Sequence, residues 1–312
     1  MNSPFVSVVI PCLNEQEIIA DTYHRVKNAL GGGWNNGYEM IFIDDGSTDA
    51  TFFILQNFAK EDASIKILHF SRNFGHQAAV TAGLAECKGD IAFIIDADLQ
   101  DSPEFFPEMY KLYQEKKCNV VNGVRQKREG ENFFKKLTAK IFYRLLNNLS
   151  DVELRVDSGD FRLIDRKVID AFNSFKEKNK YIRGLISWMG FKQESFYYTR
   201  AARLKGKTKY PLGKMLKLAF IAVFYFSKKP LKLSLTLGLI SIVIGLVLTV
   251  WVFIQQLLGM PLIRGWASTV IIIIFFGGVQ LVTIGVAGEY IGNILDEVKN
   301  RPEYIVDEKI NF

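Results

Sequence analysis

The sequence predicts an α/β fold with a mostly parallel sheet, followed by interfacial helices and two transmembrane helices. Three observations predict it. Short apolar runs alternate with helical patterns through the first 125 residues, and a basic segment follows at Arg200–Lys232. Two stretches without a charge, Leu233–Leu258 and Gly265–Gly288, contain 26 and 24 residues. Strands that alternate with helices form a mostly parallel sheet with helices on both faces.

The alternating region contains five predicted strands and four predicted helices. The strands are Val6–Ile10, Met40–Ile43, Ile65–Phe70, Ile91–Ile95 and Val120–Asn122. The helices, with apolar residues at helical spacing, are Glu15–Leu30, Thr48–Asp62, His76–Cys87 and Pro103–Lys116. Ligands of such sheets bind beyond the carboxyl ends of the strands. We therefore expect the functional side chains directly after each strand.

Acidic residues follow three of these strands. Asp96 and Asp98 come after the fourth strand, and two carboxylates at this spacing can share one hard cation such as Mg²⁺ or Mn²⁺. Such a pair also often caps the next helix. Asp45, after the second strand, is placed to accept hydrogen bonds from a base or ribose, although a plain strand–turn–helix connection explains it equally. With Glu15 after the first strand, these residues predict one site for a metal and an anionic substrate.

The loop after the third strand carries Arg72 and Gly75. A loop of this composition can approach a phosphate at the start of a helix. The alternative is that it only begins the helix at His76. We favour the phosphate contact.

Cysteine and histidine usage excludes several kinds of site. The three cysteines have no metal-ligand spacing, and the three histidines do not cluster in the sequence. This indicates a reducing cytosol without a disulfide framework or structural zinc. The apolar run Phe5–Ile10 is short and ends at Pro11, so it predicts a strand and not a secretion signal.

The remaining segments predict a membrane attachment. Residues 126–150 form an amphipathic pattern, compatible with a core-packed surface helix or one lying on the membrane. Ten basic residues and no acidic one occur in Arg200–Lys232, which favours an interfacial segment on anionic headgroups. The alternative is that these residues reflect only the positive-inside rule. Lysines before the first span, and Lys299 and Arg301 after the second, place both flanks in the cytoplasm.

The predicted organisation follows from these segments. It comprises a cytoplasmic catalytic domain at 1–199, a basic juxtamembrane segment at 200–231, a transmembrane helix at 232–258, an external loop at 259–265, a second transmembrane helix at 266–290 and a cytoplasmic tail at 291–312. The expected location is the inner (plasma) membrane.

The combination of motifs resembles a known family. The motifs are Val8-Val9-Ile10-Pro11 with Asn14-Glu15, Asp44-Asp45-Gly46-Ser47, the Asp96/Asp98/Gln100 run, Asp157-Ser158-Gly159-Asp160-Phe161-Arg162, and Arg203 through Gly206 to Lys209-Tyr210. With the paired carboxy-terminal spans, they resemble the family 2 glycosyltransferases of the GT-A fold. The nearest likeness is to the polyprenyl-phosphate branch, which includes dolichol-phosphate mannosyltransferases and GtrB-type glucosyltransferases.

The resemblance implies roles for individual residues. Nucleoside contacts are implied for Pro11, Leu13, Glu15 and Asp45. Metal contacts, to Mg²⁺ or Mn²⁺, are implied for Asp96, Asp98 and Gln100. Substrate contacts, chiefly to phosphates, are implied for Arg72, Arg125, Lys135, Arg203 and Lys209. The resemblance also implies that Asp157 lies beside the reacting centre, as a base or as an orienting residue. A catalytic role is implied for Asp98 as well.

The activity that the resemblance implies is metal-dependent hexosyl transfer. Glucose would pass from UDP-glucose to undecaprenyl phosphate with inversion, on the cytoplasmic face, supplying a lipid-linked sugar for modification of a cell-envelope glycan. One alternative is a processive polysaccharide synthase, but its Gln-x-x-Arg-Trp signature is missing from the sequence and two spans are few for a channel. Another is a non-catalytic nucleotide-binding membrane scaffold, against which the retained Asp98 argues.

The expected partners are the nucleotide-sugar donor, the lipid acceptor and the membrane, without nucleic acid. Small residues in the second span, Gly277, Gly278, Gly285 and Gly288, favour close helix packing. The alternative is that Gly277 and Gly278 are ordinary glycines of a membrane span. A homo-oligomer is therefore predicted, with a tetramer among the options. The tail Arg301–Phe312 is predicted to pair as a strand with a neighbouring chain.

Overall fold

A computed structural model describes residues 4–31, 33–34, 36–125, 158–178, 180–199, 229–258 and 265–312. The described residues fall into two compact units. The first contains those up to residue 199 together with 301–312, and the second contains 229–258 and 265–300. The amphipathic pattern at 126–150 and most of the basic segment 200–231 lie outside the described residues.

The first unit is built on an eight-stranded sheet. Its strands are β1 (Val6–Cys12), β2 (Tyr38–Asp44), β3 (Ile65–Phe70), β4 (Ile91–Ile94), β5 (Val120–Arg125), β6 (Ser158–Asp165), β7 (Gln193–Tyr198) and β8 (Val306–Ile310). Its helices are α1 (Ile19–Leu30), α2 (Thr51–Glu61), α3 (His76–Glu86), α4 (Phe106–Lys116, after a 3-10 turn at Pro103–Phe105), α5 (Arg166–Ser174) and α6 (Ile182–Trp188).

The strand order is β7-β5-β6-β4-β1-β2-β3-β8. The pairs β1–β2, β1–β4, β2–β3 and β5–β7 are parallel, whereas β6 runs antiparallel between β4 and β5, and β8 runs antiparallel to β3. The carboxyl ends of β1 to β5 therefore meet at one edge of the sheet, and β6 begins at that same edge. This confirms the mostly parallel α/β fold.

The five predicted strands are all present, and most of their residues are buried. Small side chains let α3 lie directly on the sheet, because a Cβ at Gly83 would collide with the side chains of Val9 and Ile43. Sequence reasoning did not identify β6 and β7. β6 contains the buried charged residues Asp160 and Arg162, which interrupt the apolar pattern of a central strand.

The second unit contains α7 (Lys229–Leu257) and α8 (Trp266–Lys299). Both are long and apolar enough to cross a membrane, with mean hydropathy of 2.5 over Lys229–Trp251 and 1.2 over Phe275–Lys299. α8 extends nine residues past the predicted end of the second span and stops at Asn300, which has a left-handed φ of 48°.

Residues 301–312 belong to the first unit. They contain the strand expected in the tail, and this strand, β8, pairs with β3 of its own chain. Pairing with a neighbouring chain stays a prediction. β3 would otherwise be an open edge, and the tail supplies the backbone groups that pair with it.

Candidate active site

The loops that follow β1 and β2 are joined at the carboxyl edge of the sheet. The Asn14 N–H donates to Ser47 Oγ at 2.9 Å, and the Thr48 N–H donates to Asn14 Oδ1 at 2.8 Å. Asn14 has a left-handed φ of 52°, which asparagine tolerates better than most residues. The Glu15 N–H donates to Thr51 Oγ1 at 2.8 Å. These reciprocal contacts hold the two loops together.

The residues in and directly after β1 that were predicted to contact a nucleoside lie at this edge. Pro11 is buried in β1 opposite Ile43 of β2, and Leu13 and Glu15 follow the strand and are partly exposed. Their placement agrees with a shared site after β1 and β2. Their contact with a nucleoside stays a prediction.

Asp45 holds the loop that follows β3. Its carboxylate accepts the Phe74 N–H at 2.6 Å and the Gly75 N–H at 2.9 Å, and the residue is 3% exposed. Burial raises the pKa of Asp45, and the two amide donors act in the opposite direction. Gly46 has a φ of +67°, and a Cβ there would collide with the Arg72 backbone. Asp45 therefore has a clear structural role, while direct contact with a nucleoside stays a prediction.

Arg72 is exposed on the same loop. Its guanidinium lies 4.0 Å from the centroid of the Phe74 ring, and its Nη1 donates to the Asn73 carbonyl at 3.0 Å. A cation–π contact of this kind holds the charge near the surface of the loop. This position is compatible with the predicted phosphate contact, which stays a prediction.

The predicted metal residues form a turn directly after β4. Asp96 and Asp98 are both partly exposed, and the Gln100 N–H donates to Asp98 Oδ1 at 3.1 Å. Leu99, between Asp98 and Gln100, is buried and has a left-handed φ of 52°. This conformation is unusual for a bulky residue, and such conformations are often found at functional turns. Gln100 is 8% exposed, and its contact with Asp98 is made by its backbone. Its role as a metal ligand stays a prediction.

The chemistry of this turn fits a hard divalent cation. Burial raises the pKa of Asp96 to about 6, the charge of His76 opposes this rise, and the carboxylates of Asp160, Asp98 and Asp101 add to it. A bound cation would relieve this crowding of negative charge. Among the described residues, no three His, Cys, Asp or Glu side chains gather as ligands. The turn would thus supply two carboxylates and leave positions for phosphate oxygens and water, as Mg²⁺ sites usually do.

A charged cluster that the sequence did not reveal lies beside Asp96. His76 begins α3; its Nε2 is 3.0 Å from Asp160 Oδ2, and its Nδ1 is 3.8 Å from Asp96 Oδ1. Arg183 of α6 donates to both carboxylate oxygens of Asp160, from Nε at 2.8 Å and from Nη2 at 3.0 Å. Arg162 Nη2 lies 3.5 Å from Asp160 Oδ1. One carboxylate is therefore surrounded by three cationic side chains.

The pKa values follow from these contacts. Burial lowers the pKa of His76, but the hydrogen bond with Asp160 and the charge of Asp96 outweigh it and raise the pKa to about 9. Burial raises the pKa of Asp160, but Arg183 and His76 outweigh it and hold the pKa well below its usual value. His76 is therefore cationic and Asp160 anionic near neutral pH.

Arg125, at the end of β5, reaches the same edge. Its Nη2 donates to Asp101 Oδ2 at 3.3 Å, and the Tyr198 hydroxyl donates to Asp101 Oδ1 at 2.5 Å. The guanidinium also passes over Gly159, where a Cβ would lie 2.9 Å from Nη2. The Arg125 side chain is 35% exposed although Asp101 is buried. The predicted contact of Arg125 with a phosphate is compatible with this placement and stays a prediction.

Four predicted site residues, Asp157, Lys135, Arg203 and Lys209, lie outside the described residues. Their roles stay predictions. The residues that the sequence did not assign are His76, Asp101, Asp160, Arg183 and Tyr198. Of these, only His76 could have been noticed in the sequence, because it begins the helix that follows the loop after β3, at the edge where the site was expected.

The chain matches two protein families and is similar to known glycosyltransferases over nearly its whole length. The sequence model described as Glycosyl transferase family 2 matches residues 7–172, and the one described as GtrB C-terminal hairpin matches residues 229–294. The chain is 47% identical over 302 residues to the uncharacterized glycosyltransferase YkcC of Bacillus subtilis (strain 168), covering 97% of this chain and 93% of that protein. It is 37% identical over 301 residues to the bactoprenol glucosyl transferase of Shigella phage SfII, covering 96% and 97%.

A solved structure shows the same fold. The mannosyltransferase PcManGT from Pyrobaculum calidifontis, in complex with GDP-Man and Mn²⁺, superposes with a TM-score of 0.52 at 16% sequence identity. The match covers 72% of this chain and 64% of that chain. It confirms the predicted GT-A fold.

Proposed function

The chain belongs to glycosyl transferase family 2, and we propose that it transfers glucose from UDP-glucose to undecaprenyl phosphate with inversion at the anomeric carbon. The family match and the similarity to glycosyltransferases over nearly the whole chain support the reaction class. The choice of glucose and of a polyprenyl phosphate is supported by the 35–37% identity to proteins named bactoprenol glucosyl transferase or its homolog.

The observation that carries the proposal is the turn with Asp96 and Asp98 at the carboxyl edge of the sheet. It lies at the same edge as the interlocked loops after β1, β2 and β3. Enzymes with open parallel sheets bind their ligands at this edge. Carboxylate pairs there suit a divalent cation that also contacts a diphosphate.

The chemistry follows from this arrangement. A bound Mg²⁺ or Mn²⁺, held by Asp96 and Asp98, would act as a Lewis acid towards the nucleoside diphosphate leaving group. Asp45 and Gly46 keep the donor-side loops together, and Arg125 brings a cationic group to the same edge. A phosphate monoester has a second pKa of about 6, so the acceptor is largely ionised at neutral pH. Its oxygen can attack without a strong base, and a single displacement inverts the anomeric carbon.

The apolar helices support a lipid acceptor. α7 and α8 are long enough to cross a bilayer, and side chains such as Leu246 and Leu281 are 61% and 72% exposed. Because basic residues flank them at Lys229 and Lys299, the positive-inside rule favours a cytoplasmic catalytic unit in the plasma membrane. Self-association through the helix glycines stays a prediction.

The test is transfer of radiolabelled glucose. The purified full chain would be incubated with UDP-glucose, undecaprenyl phosphate and Mn²⁺ or Mg²⁺, and label would be counted in the organic phase. We expect label in the lipid that is lost with chelator and with Asp98→Asn. Asp21→Asn, which removes an exposed carboxylate on α1, should retain activity. Transfer that persists in chelator would overturn the metal role, and no transfer to the lipid from UDP-glucose would overturn the substrate assignment.

A further inference from the structure

Asp101 lies between Tyr198 and Arg125 at the carboxyl edge of the sheet. Its Oδ1 accepts the Tyr198 hydroxyl at 2.5 Å, and its Oδ2 accepts Arg125 Nη2 at 3.3 Å. Asp101 and Tyr198 are 1% and 3% exposed, whereas the Arg125 side chain is 35% exposed. Of the three groups, Arg125 is therefore the one that a ligand at this edge can reach.

The Tyr198 ring is fixed by its surroundings. Tyr198 is opposite Arg125 in the parallel pairing of β5 with β7, so both side chains project to the same face of the sheet. The ring packs against Phe161 with 5.5 Å between centroids and against Phe105 with 5.6 Å. On β5, Gly123 leaves room for it, because a Cβ there would lie 3.1 Å from Tyr198 Cε1. This packing holds the ring, and therefore its hydroxyl, in place.

The two hydrogen bonds of Asp101 differ in strength. The hydroxyl bond of 2.5 Å is as short as strong bonds to a carboxylate are, whereas 3.3 Å lies just beyond the usual range for a nitrogen donor. A guanidinium has five N–H donors, and the contact with Asp101 uses only one of them. The buried Nε of Arg125 has no hydrogen-bond partner among the described residues. The Tyr198 hydroxyl thus sets the orientation of the Asp101 carboxylate, which in turn orients Arg125 without fully engaging it.

We propose that Tyr198 is a positioning residue that, through Asp101, holds Arg125 in place for a substrate phosphate. Without the Tyr198 hydroxyl, both oxygens of Asp101 become available to Arg125, and arginine favours bidentate pairing with a carboxylate. Asp101 then competes with the phosphate for the same guanidinium. This role rests on the proposed function, because the phosphate belongs to the nucleotide-sugar donor or to the lipid acceptor of that reaction.

The test is a double-mutant cycle on phosphate binding. The full chain in detergent with Mn²⁺ would be titrated with UDP in a calorimeter, and the KM for undecaprenyl phosphate would be measured in the transfer assay. We expect Tyr198→Phe, which keeps the ring and removes the hydroxyl, to weaken one of these two interactions about fivefold. Arg125→Gln should weaken the same interaction about tenfold, and adding Tyr198→Phe to it should change nothing further. Tyr197→Phe, at a position of the same strand that is 63% exposed, is the matched control and should match wild type.

The two measurements distinguish the source of the phosphate. Weaker UDP binding in Tyr198→Phe assigns the phosphate to the donor, and a higher KM for the lipid assigns it to the acceptor. Wild type that neither binds UDP nor transfers glucose would overturn the proposed function and this role with it. Wild type that does both, with Tyr198→Phe unchanged in both measurements, would overturn the role of Tyr198 alone.

The cycle also separates positioning from a merely structural effect. An effect of Tyr198→Phe that persists in full beside Arg125→Gln refutes the positioning role, because a general loss of structure does not depend on Arg125. Thermal unfolding of each variant accompanies the cycle. If Tyr198→Phe does not fold, Asp101→Asn takes its place, and an unchanged UDP affinity together with an unchanged KM for the lipid refutes the role.

Discussion

Asp45 offers a direct test of how the loops after β2 and β3 are held together. The Phe74 and Gly75 amides donate to its buried carboxylate at 2.6 and 2.9 Å. In Asp45→Asn, one oxygen can still accept, but the new NH₂ group faces the second amide. A lost hydrogen bond to a charged acceptor costs about 1.5–3 kcal/mol. Since burial raises the pKa of Asp45, removing its charge returns part of this cost. We expect a net destabilisation of about 1–2 kcal/mol.

The assay is thermal and denaturant unfolding of the full chain in detergent without nucleotide, followed by calorimetric measurement of UDP affinity. Asp307→Asn, at an exposed position of β8, is the matched control and should change stability by less than about 0.5 kcal/mol. We expect Asp45→Asn to lose stability before any nucleotide is added. Wild-type stability combined with weaker UDP binding would refute this reasoning and show that Asp45 acts by contacting the nucleoside.

Two further predictions concern stability. The Asn311 Nδ2 donates to the Ala59 and Ile65 carbonyls at 2.8 and 2.9 Å, and Asn311→Ala removes both hydrogen bonds. We expect the free energy of unfolding to fall by about 1–3 kcal/mol in a denaturant titration. An unchanged free energy of unfolding would mean that these bonds do not anchor the tail. Burial raises the pKa of Asp62, but the hydrogen bonds from Lys27, Ser64 and Tyr23 together outweigh it and lower the pKa from 3.8 to about 2. This stabilisation is complete above the unfolded pKa, so the stability gap between wild type and Asp62→Asn should shrink as pH falls from 3.8 towards 2; a constant gap contradicts it.

The strands that could be predicted from the sequence are those built mostly from buried apolar residues. β1 to β5 are apolar runs bounded by polar turns, and the loops after them were expected to carry the site because parallel strands end at one edge. β6 was not predicted because it buries the charged residues Asp160 and Arg162, whose charges are compensated only by contacts in the folded structure. A strand with such buried charges shows neither the continuous apolar run nor the apolar–polar alternation from which strands are predicted.

The charged cluster around Asp160 could not be predicted from the sequence for a related reason. His76, Asp160 and Arg183 are separated by 84 and 23 residues along the chain. They meet only because β6 is inserted antiparallel between β4 and β5, and the sequence gives no sign of that insertion. The turn with Asp96 and Asp98, in contrast, is a local motif directly after one strand, and was therefore predictable without the topology.

The position of β8 extends the first compact unit beyond residue 199. β8 completes the sheet beside β3, although the chain forms both apolar helices between these two strands. Next to this pair, the Ser71 N–H donates to the Ile305 carbonyl at 3.1 Å, and the Tyr304 ring stacks on Phe70 with 5.1 Å between centroids. The loop after β3, which Asp45 holds from the other side, is thus braced by residues beyond α8. A chain cut at residue 199 would leave the β3 edge unpaired and this loop half supported, so residues 1–199 are not the complete folding unit.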